Sequence, residues 1–540
     1  MTLIRNKYWV LSLLLLLGSV IPSDAATTTI NPKVLHIINR LSFGPAPGDI
    51  KKVEAMGVEN YIKQQLSPDS ISESESLTRK LSQMKTLNFN PVQLWQYSAT
   101  IPAGVISSQE KKQAIIKQSR QISNEIMQSR LLRATSSNRQ LQEVMVDFWY
   151  NHFNVDANKG RNRIWVGAYE QEAIRPYALG KFRDLLGATA HHPAMLLYLD
   201  NAKNKVSNRP DAKGKIEGLN ENYARELMEL HTLGVDGGYT QQDVMALAKV
   251  FSGWGIVNKP NQDNSDGFEF NSKHHDFSDK VFLGHKIKGS GKAEGEEALN
   301  ILARSPATAR HISYKLAQYF VNDNPPETLV KKLAQRYLVT DGNIRDVLNT
   351  LFQSSEFWDE KNFNSKFKTP YQYAVSVVRA TGMELNNTIS ISEFLNQSAM
   401  PLYRCPTPDG YKNTKEAWLN PDAMTRRLSF ASAIANGSLK ISSLPPQNNP
   451  DKVKAPKLRK TIPPAGNRDL TIFKPTRQMK PGKPKGVQQR KANQPIPVDY
   501  EQLMNTLGNS FSPQTQKAIA SSPPEIRSGL ILGSPEFMRR

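Results

Sequence analysis

The stretch Asn220–Gly255, NENYARELMELHTLGVDGGYTQQDVMALAKVFSGWG, constrains local structure more tightly than any other part of the chain. Asn220 can accept from a free backbone N–H and Glu221 suits the positive end of a helix, so a helix is predicted to start there. Gly234 ends it in a left-handed C-cap. Thr240 and Asp243 stand three apart as in a capping box, with Asp replacing the usual Glu or Gln. Val244, Leu247, Ala248 and Phe251 then follow at the spacing of a buried helical stripe. The chain should therefore form two helices, antiparallel or angled, joined by the tight turn Val-Asp-Gly-Gly-Tyr.

The same stretch is dense in ionisable groups. At 100° per residue, Asn222, Glu226 and Glu229 share one face of the first helix with Arg225 beside them. His231 falls roughly opposite Glu226, on the side of Ala224, Leu227 and Met228. The HExxH zinc spacing and the Glu-x-x-His spacing of di-iron bundles are both absent. A site using both faces needs residues from elsewhere, with His275-Asp276 the first choice. The plainer alternative is a solvated acidic face with an Arg225–Glu229 ion pair and a core histidine.

Charge is unevenly spread. The net charge is +21, but Lys452 to Lys491 carries thirteen Lys or Arg against the single acid Asp469, or +12. The remainder is only mildly basic, so strong basicity belongs to that segment. Met1 to Ala25 reads as a signal peptide, with Arg5 and Lys7 before the apolar run Tyr8–Val20 and a small-residue cleavage site at Ser23-Asp24-Ala25. The mature chain is expected to begin at Ala26, exported to the periplasm or secreted, with no transmembrane span. Cys405 is the only cysteine, so no intrachain disulfide can form and an ordinary core must hold the fold.

The expected fold is mainly α: a multi-helix body over 26–441, a Pro/Lys-rich disordered insertion over 442–498, and C-terminal helices over 499–540, two of them, docking back on the body. Val34, Ile37, Ile38 and Leu41 form a first stripe, and Asp49 caps a second helix. A long helical pattern from Ser107 to Asn151 breaks near Thr135–Asn138 and ends in VMVDFWYNHFNVD, where Phe148, Trp149, His152 and Phe153 suggest core and helix-end packing. A basic patch follows at Lys159, Arg161 and Arg163. His191 and His192 precede Pro193, which suits the first turn of a helix ending at Asp200-Asn201. Phe268/Phe270 and the Val281, Leu283 run suggest one small β-hairpin within 268–287, with His274, His275 and Asp276 at its turn.

Taken together, INRLSFGP, FWYNHF, HHPAMLLYLDN, the 220–255 block, HHDFSDKVFLG, PTPDGY with AWLNP, and the terminal SPEFMRR resemble the bacterial family called domain of unknown function 1800. The pieces span nearly the whole mature chain; the basic insertion and Cys405 depart from the family pattern. The resemblance implies a mostly helical exported protein and, as a partner, an exported protein similar to the alkaline-phosphatase and sulfatase superfamily. It implies no reaction.

Two classes of function fit these residues. In a metal-assisted hydrolase of an envelope or extracellular polymer, Glu226, Glu229 and His231 are the candidate catalytic groups. His231, His275 and Asp276 are the candidate ligands of a divalent metal, Asn222, Arg225, His152 and Trp254 the candidate substrate contacts, and Asp200 a further wall of the cleft. In a non-catalytic envelope protein, assembling with a partner or gripping an anionic polymer through 452–491, the Glu and His residues form a buried polar network that fixes the fold. Nucleic acid is disfavoured, because Phe473 is the one aromatic in 452–491 and stacking capacity is poor.

Overall fold

Local capping signals are realised almost throughout. In the computed structural model, which describes residues 30–101, 107–206, 218–257, 266–439, 441–442, 497–508 and 510–540, twenty-three α-helices account for most of the described chain. The signal segment Met1–Ala25 and the basic stretch Lys452–Lys491 lie outside the described residues, as does nearly all of the 442–498 insertion. Among the described residues no helix is long and apolar enough to cross a membrane.

The buried apolar side chains form one cluster that runs from Val34 to Met538. Its oldest sequence signal, the Val34/Ile37/Ile38/Leu41 stripe, lies on the helix Pro32–Leu41, where all four are buried. Asp49 opens the next helix rather than capping it: the N-cap is Gly48, and Asp49 accepts from the Ala46 N–H and from Arg379. The end of the chain packs into this core as three helices, Tyr500–Leu507, Pro513–Ala520 and Pro524–Leu532. Two were expected; Pro513 and Pro524 each start a helix of their own, as proline favours a first helical turn. Backbone bonds from Lys368 to Met538 and from Arg540 to Lys366 tie the last residues down.

Helix Ser108–Ser136 begins at a capping box of Ser107 and Glu110 and stops where Ser137 turns extended, before helix Gln140–His152. It packs against Pro91–Ala99, Asn162–Ala168 and Pro370–Thr381. Gly167 permits one of these approaches, since a Cβ there would lie 2.3 Å from Ile126.

The β content differs from the single predicted hairpin. Phe268–Phe270 pairs antiparallel with Trp254–Ile256, register Trp254↔Phe270, and Lys280–Phe282 pairs with His285–Ile287 around Gly284. Alternation in 268–270 identified a strand but not its partner, which comes from the other side of a loop.

Candidate functional site

The 220–255 block forms the predicted pair, with one change of geometry. Helix Asn222–Glu226 starts one residue later than expected, with Glu221 rather than Asn220 at the N-cap; Asn220 still accepts from a backbone N–H, that of Asn222, at 3.0 Å. From Leu227 to His231 the chain is π-helical, so the 100° step no longer applies. Gly234 is left-handed, φ +85°, and its N–H reaches back to the Met228 carbonyl. The Thr240/Asp243 capping box is present and Val244, Leu247, Ala248 and Phe251 are all buried.

The π turn delivers His231 into the core, 1 % exposed, beside Phe153 and with ring centroids 6.0 Å from His152. His152 Nε2 bonds the His231 carbonyl at 3.0 Å, and His311 Nε2 bonds the Leu230 carbonyl at 3.3 Å. Two imidazoles thus satisfy the carbonyls that the end of a helical segment leaves open. Each must donate from Nε2, which leaves Nδ1 as a lone pair. His152 Nδ1 and both ring nitrogens of His231 have no hydrogen-bond partner. Burial, reinforced by Lys315, pushes His231 down to about 3 and His311 to about 4, and carries His152 well below its ordinary value. Burial also lowers Lys315, with Lys412 adding to the effect and Asp409 opposing it. The cluster is therefore a set of neutral bases walled off from carboxylates.

The carboxylates of the motif lie outward. Glu226 is half-buried and raised by burial, then by Glu229 and Asp409. Glu229 is 3.5 Å from Arg225, which also bonds Glu221 and Gln241; this is the plainer arrangement of a solvated ion-paired face. Asn222 donates to the Leu199 carbonyl, and Asp200 pairs with Lys159 and Lys203.

His275 and Asp276 do not complete this face. His275 is sealed between the Ser252 carbonyl at 2.8 Å and Glu294 at 2.8 Å, and Glu294 in turn takes Lys280 at 2.6 Å. Asp276 is held by Ser278 and lies beside Lys280 and Lys249. His231 and His275 share no partner, and among the described residues no group of three or more His, Cys, Asp or Glu is arranged to hold a metal ion. Trp254, read as a substrate contact, is instead core: it is 0 % exposed, stacks on His191 at 4.5 Å, and packs so closely on Gly295 that a Cβ there would lie 2.0 Å from its ring. Cys405 is buried, and burial raises its thiol.

A second site was only partly marked in the sequence. Helices Pro91–Ala99, Ser108–Ser136 and Asn162–Ala168 and the loop at 402–404 enclose a groove of about 2010 Å³, counted to its open mouth. Four arginines line it, Arg120, Arg161, Arg163 and Arg404, and no Asp or Glu does. Arg161 lies 3.7 Å over the ring of Trp95. None of the four has a carboxylate partner among the described residues. The basic patch at 159–163 was legible; Trp95, Arg120 and Arg404 come from distant segments, and only the fold joins them to it.

Leu402, Tyr403 and Arg404 also line a smaller chamber beyond the groove, with Arg130, Asp147, Tyr150 and Tyr371. Tyr403 sits at φ +59°, a conformation that costs a non-glycine residue of the order of 1 kcal/mol or more and that must be held by its surroundings. Its carbonyl accepts from Ala157 and its hydroxyl donates to Glu170.

The sequence matches the family described as "Protein of unknown function (DUF1800)" over residues 36–539. No curated protein and no solved structure matches the chain.

Proposed function

Because the chain belongs to the DUF1800 family, which supplies no reaction to start from, we propose from its geometry that it is an exported protein whose helical body holds an anionic polymer. The observation that supports this reading is the groove lined by four arginines without a carboxylate. Some surface arginines elsewhere are paired with acids, as Arg310 with Glu327 and Arg426 with Asp422, whereas here four that are not lie together. Four neighbouring guanidiniums without a carboxylate keep their planar forks available to an outside anion, whose carboxylate, sulfate or phosphate oxygens match that geometry. Lys112, exposed about two turns before Arg120 on the groove-lining face of the same helix, adds to the positive field there. The segment 452–491 adds a general attraction for polyanions; the groove adds a shaped place to hold one.

Phenylglyoxal modification of the full-length chain, read by mass spectrometry at each arginine, separates the groove from the basic segment. Dextran sulfate is expected to protect Arg120, Arg161, Arg163 and Arg404, with an affinity that falls as salt rises with a log–log slope of roughly 3, as neutralisation of about four charges gives. In the Arg161→Gln/Arg404→Gln chain the slope at the remaining arginines should drop by about half. Protection that is absent, or indifferent to salt, rejects the reading.

Export rests on the charged start, apolar run and small-residue site of Met1–Ala25. Expressed with its full N-terminus in a bacterium, the protein should be recovered outside the cytoplasm with Ala26 as its first residue. A cytoplasmic product that retains Met1 would remove export from the proposal.

A further inference from the structure

The lining of the groove is selective in more than sign of charge. Building on the polyanion reading, we propose that the ligand is an acidic polysaccharide carrying carboxylate groups. The four arginines arise from three separate segments and are spread over a groove of about 2010 Å³. A phosphate polymer, with a charge every few ångströms, is matched by a dense row of Lys and Arg. A chain of sugar acids has its charges one ring apart, with hydroxyls and C–H faces between them.

Asn124 and Asn158 present carboxamides, each both donor and acceptor, which suit hydroxyl groups that are themselves both. Ile115 and Ile116, half-buried in the same lining, offer apolar surface to the C–H face of a ring. Polyphosphate, which only accepts, could use the amide N–H groups but neither the amide oxygens nor the apolar surface.

Single-stranded nucleic acid gains most where bases lie on open aromatic faces. Here one face of Trp95 is already covered by Arg161 at 3.7 Å, and Tyr403 is only 6 % exposed. The same contact holds the Arg161 guanidinium in a fixed plane, which favours a two-pronged grip on a carboxylate.

The test uses the full-length chain and the arginine footprint at physiological ionic strength, with polygalacturonate, polyphosphate and single-stranded DNA matched in charge equivalents, and pullulan as the neutral glucan. Polygalacturonate should protect the groove arginines at a concentration about tenfold lower than polyphosphate or DNA. Asn124→Ala/Asn158→Ala should weaken protection by polygalacturonate several-fold and that by polyphosphate by clearly less. These side chains are exposed, so the fold is expected to survive, and circular dichroism checks that it has. Equal or tighter protection by polyphosphate or DNA, or an unchanged polygalacturonate affinity in the asparagine variant, overturns the assignment to acidic polysaccharide while the polyanion reading stands. Protection by pullulan as strong as by polygalacturonate, or none by any of the three polyanions, overturns both.

Discussion

Arg130→Met is expected to lower the unfolding free energy by about 3–5 kcal/mol, the range for removing one partner of a buried ion pair. Arg130 bonds Glu170 and Asp147, each at 2.7 Å, and lies within 5.1–5.3 Å of the rings of Tyr150, Tyr371 and Tyr403. Glu170, 1 % exposed, would keep Arg175 at 3.3 Å as its one charge partner beside the Tyr403 hydroxyl, and Asp147 would lose its charge partner. The pH dependence has a definite sign. Burial alone would raise Glu170, but Arg130 and then Arg175 outweigh it and hold the carboxyl below its ordinary range. A depressed carboxyl gives stability that is complete above its unfolded pKa and lost as pH falls through its folded pKa. Asp147 is already raised, by burial first, with Arg130 opposing. Without Arg130 both carboxyls move up, so the deficit of the variant should be largest near neutral pH and shrink on acidification as the uncompensated charges take protons. Urea denaturation of both proteins from pH 7 to pH 4 measures this. A deficit that is constant, or grows, on acidification means that the guanidinium contributes packing rather than charge. Because the network abuts Tyr403, the variant should also loosen the 402–404 wall of the groove.

Much of the 220–255 geometry was legible because caps are short-range. Thr240 with Asp243 and Gly234 act on backbone groups three to six residues away and are found in their predicted roles, and Pro193 stands in a first helical turn as expected; that His192 Nδ1 caps this helix by accepting from the Ala194 N–H was not read from the sequence. The π turn at 227–231 was not legible, because no side-chain pattern distinguishes a five-residue repeat of that length from an α turn. Its stabilisers, His152 and His311, lie 79 and 81 residues or so from the carbonyls they bond. Nor could alternation in Phe268–Phe270 choose between two partner strands. The acidic cluster drew attention because ionisable groups are conspicuous in a sequence, yet a conspicuous group is as often paired as free. Glu229 with Arg225, Asp200 with Lys159 and His275 with Glu294 are of the paired kind. Unpaired status is a property of the fold alone, and that is why four arginines from three segments could be recognised as a site only with the fold in hand.

The motif around His275 supplies the sharpest contrast between a structural and a ligand-binding network. Glu294→Ala is expected to cost about 3–5 kcal/mol, since it leaves Lys280 and His275 buried without their carboxylate. Both side chains of the His275–Glu294 pair are 0 % exposed and that of Lys280 is 2 % exposed. Glu294 Oε1 takes His275 Nε2 and the Gly291 N–H, and Oε2 takes Lys280, so one carboxylate serves three donors. His275 Nδ1 meets the Ser252 carbonyl, which accepts and therefore requires a proton on Nδ1. Nδ1 faces the Ser252 carbonyl and Nε2 the Glu294 carboxylate, so both ring nitrogens are already engaged inside the network and neither opens onto a place for a metal ion. Lys280 also donates to the Asp276 carbonyl, so the network clamps the HHDFSD turn onto helix Lys292–Arg304 from both of its ends. The wild-type protein should accordingly show the same melting temperature with and without added Zn²⁺ or Mn²⁺, while Glu294→Ala melts much lower in either case and Glu294→Gln falls between, because an amide restores one acceptor but not the charge. A metal-dependent rise in the melting temperature of the wild type that disappears in His275→Gln would instead make this turn a ligand site and reverse the assignment of His275 to the core.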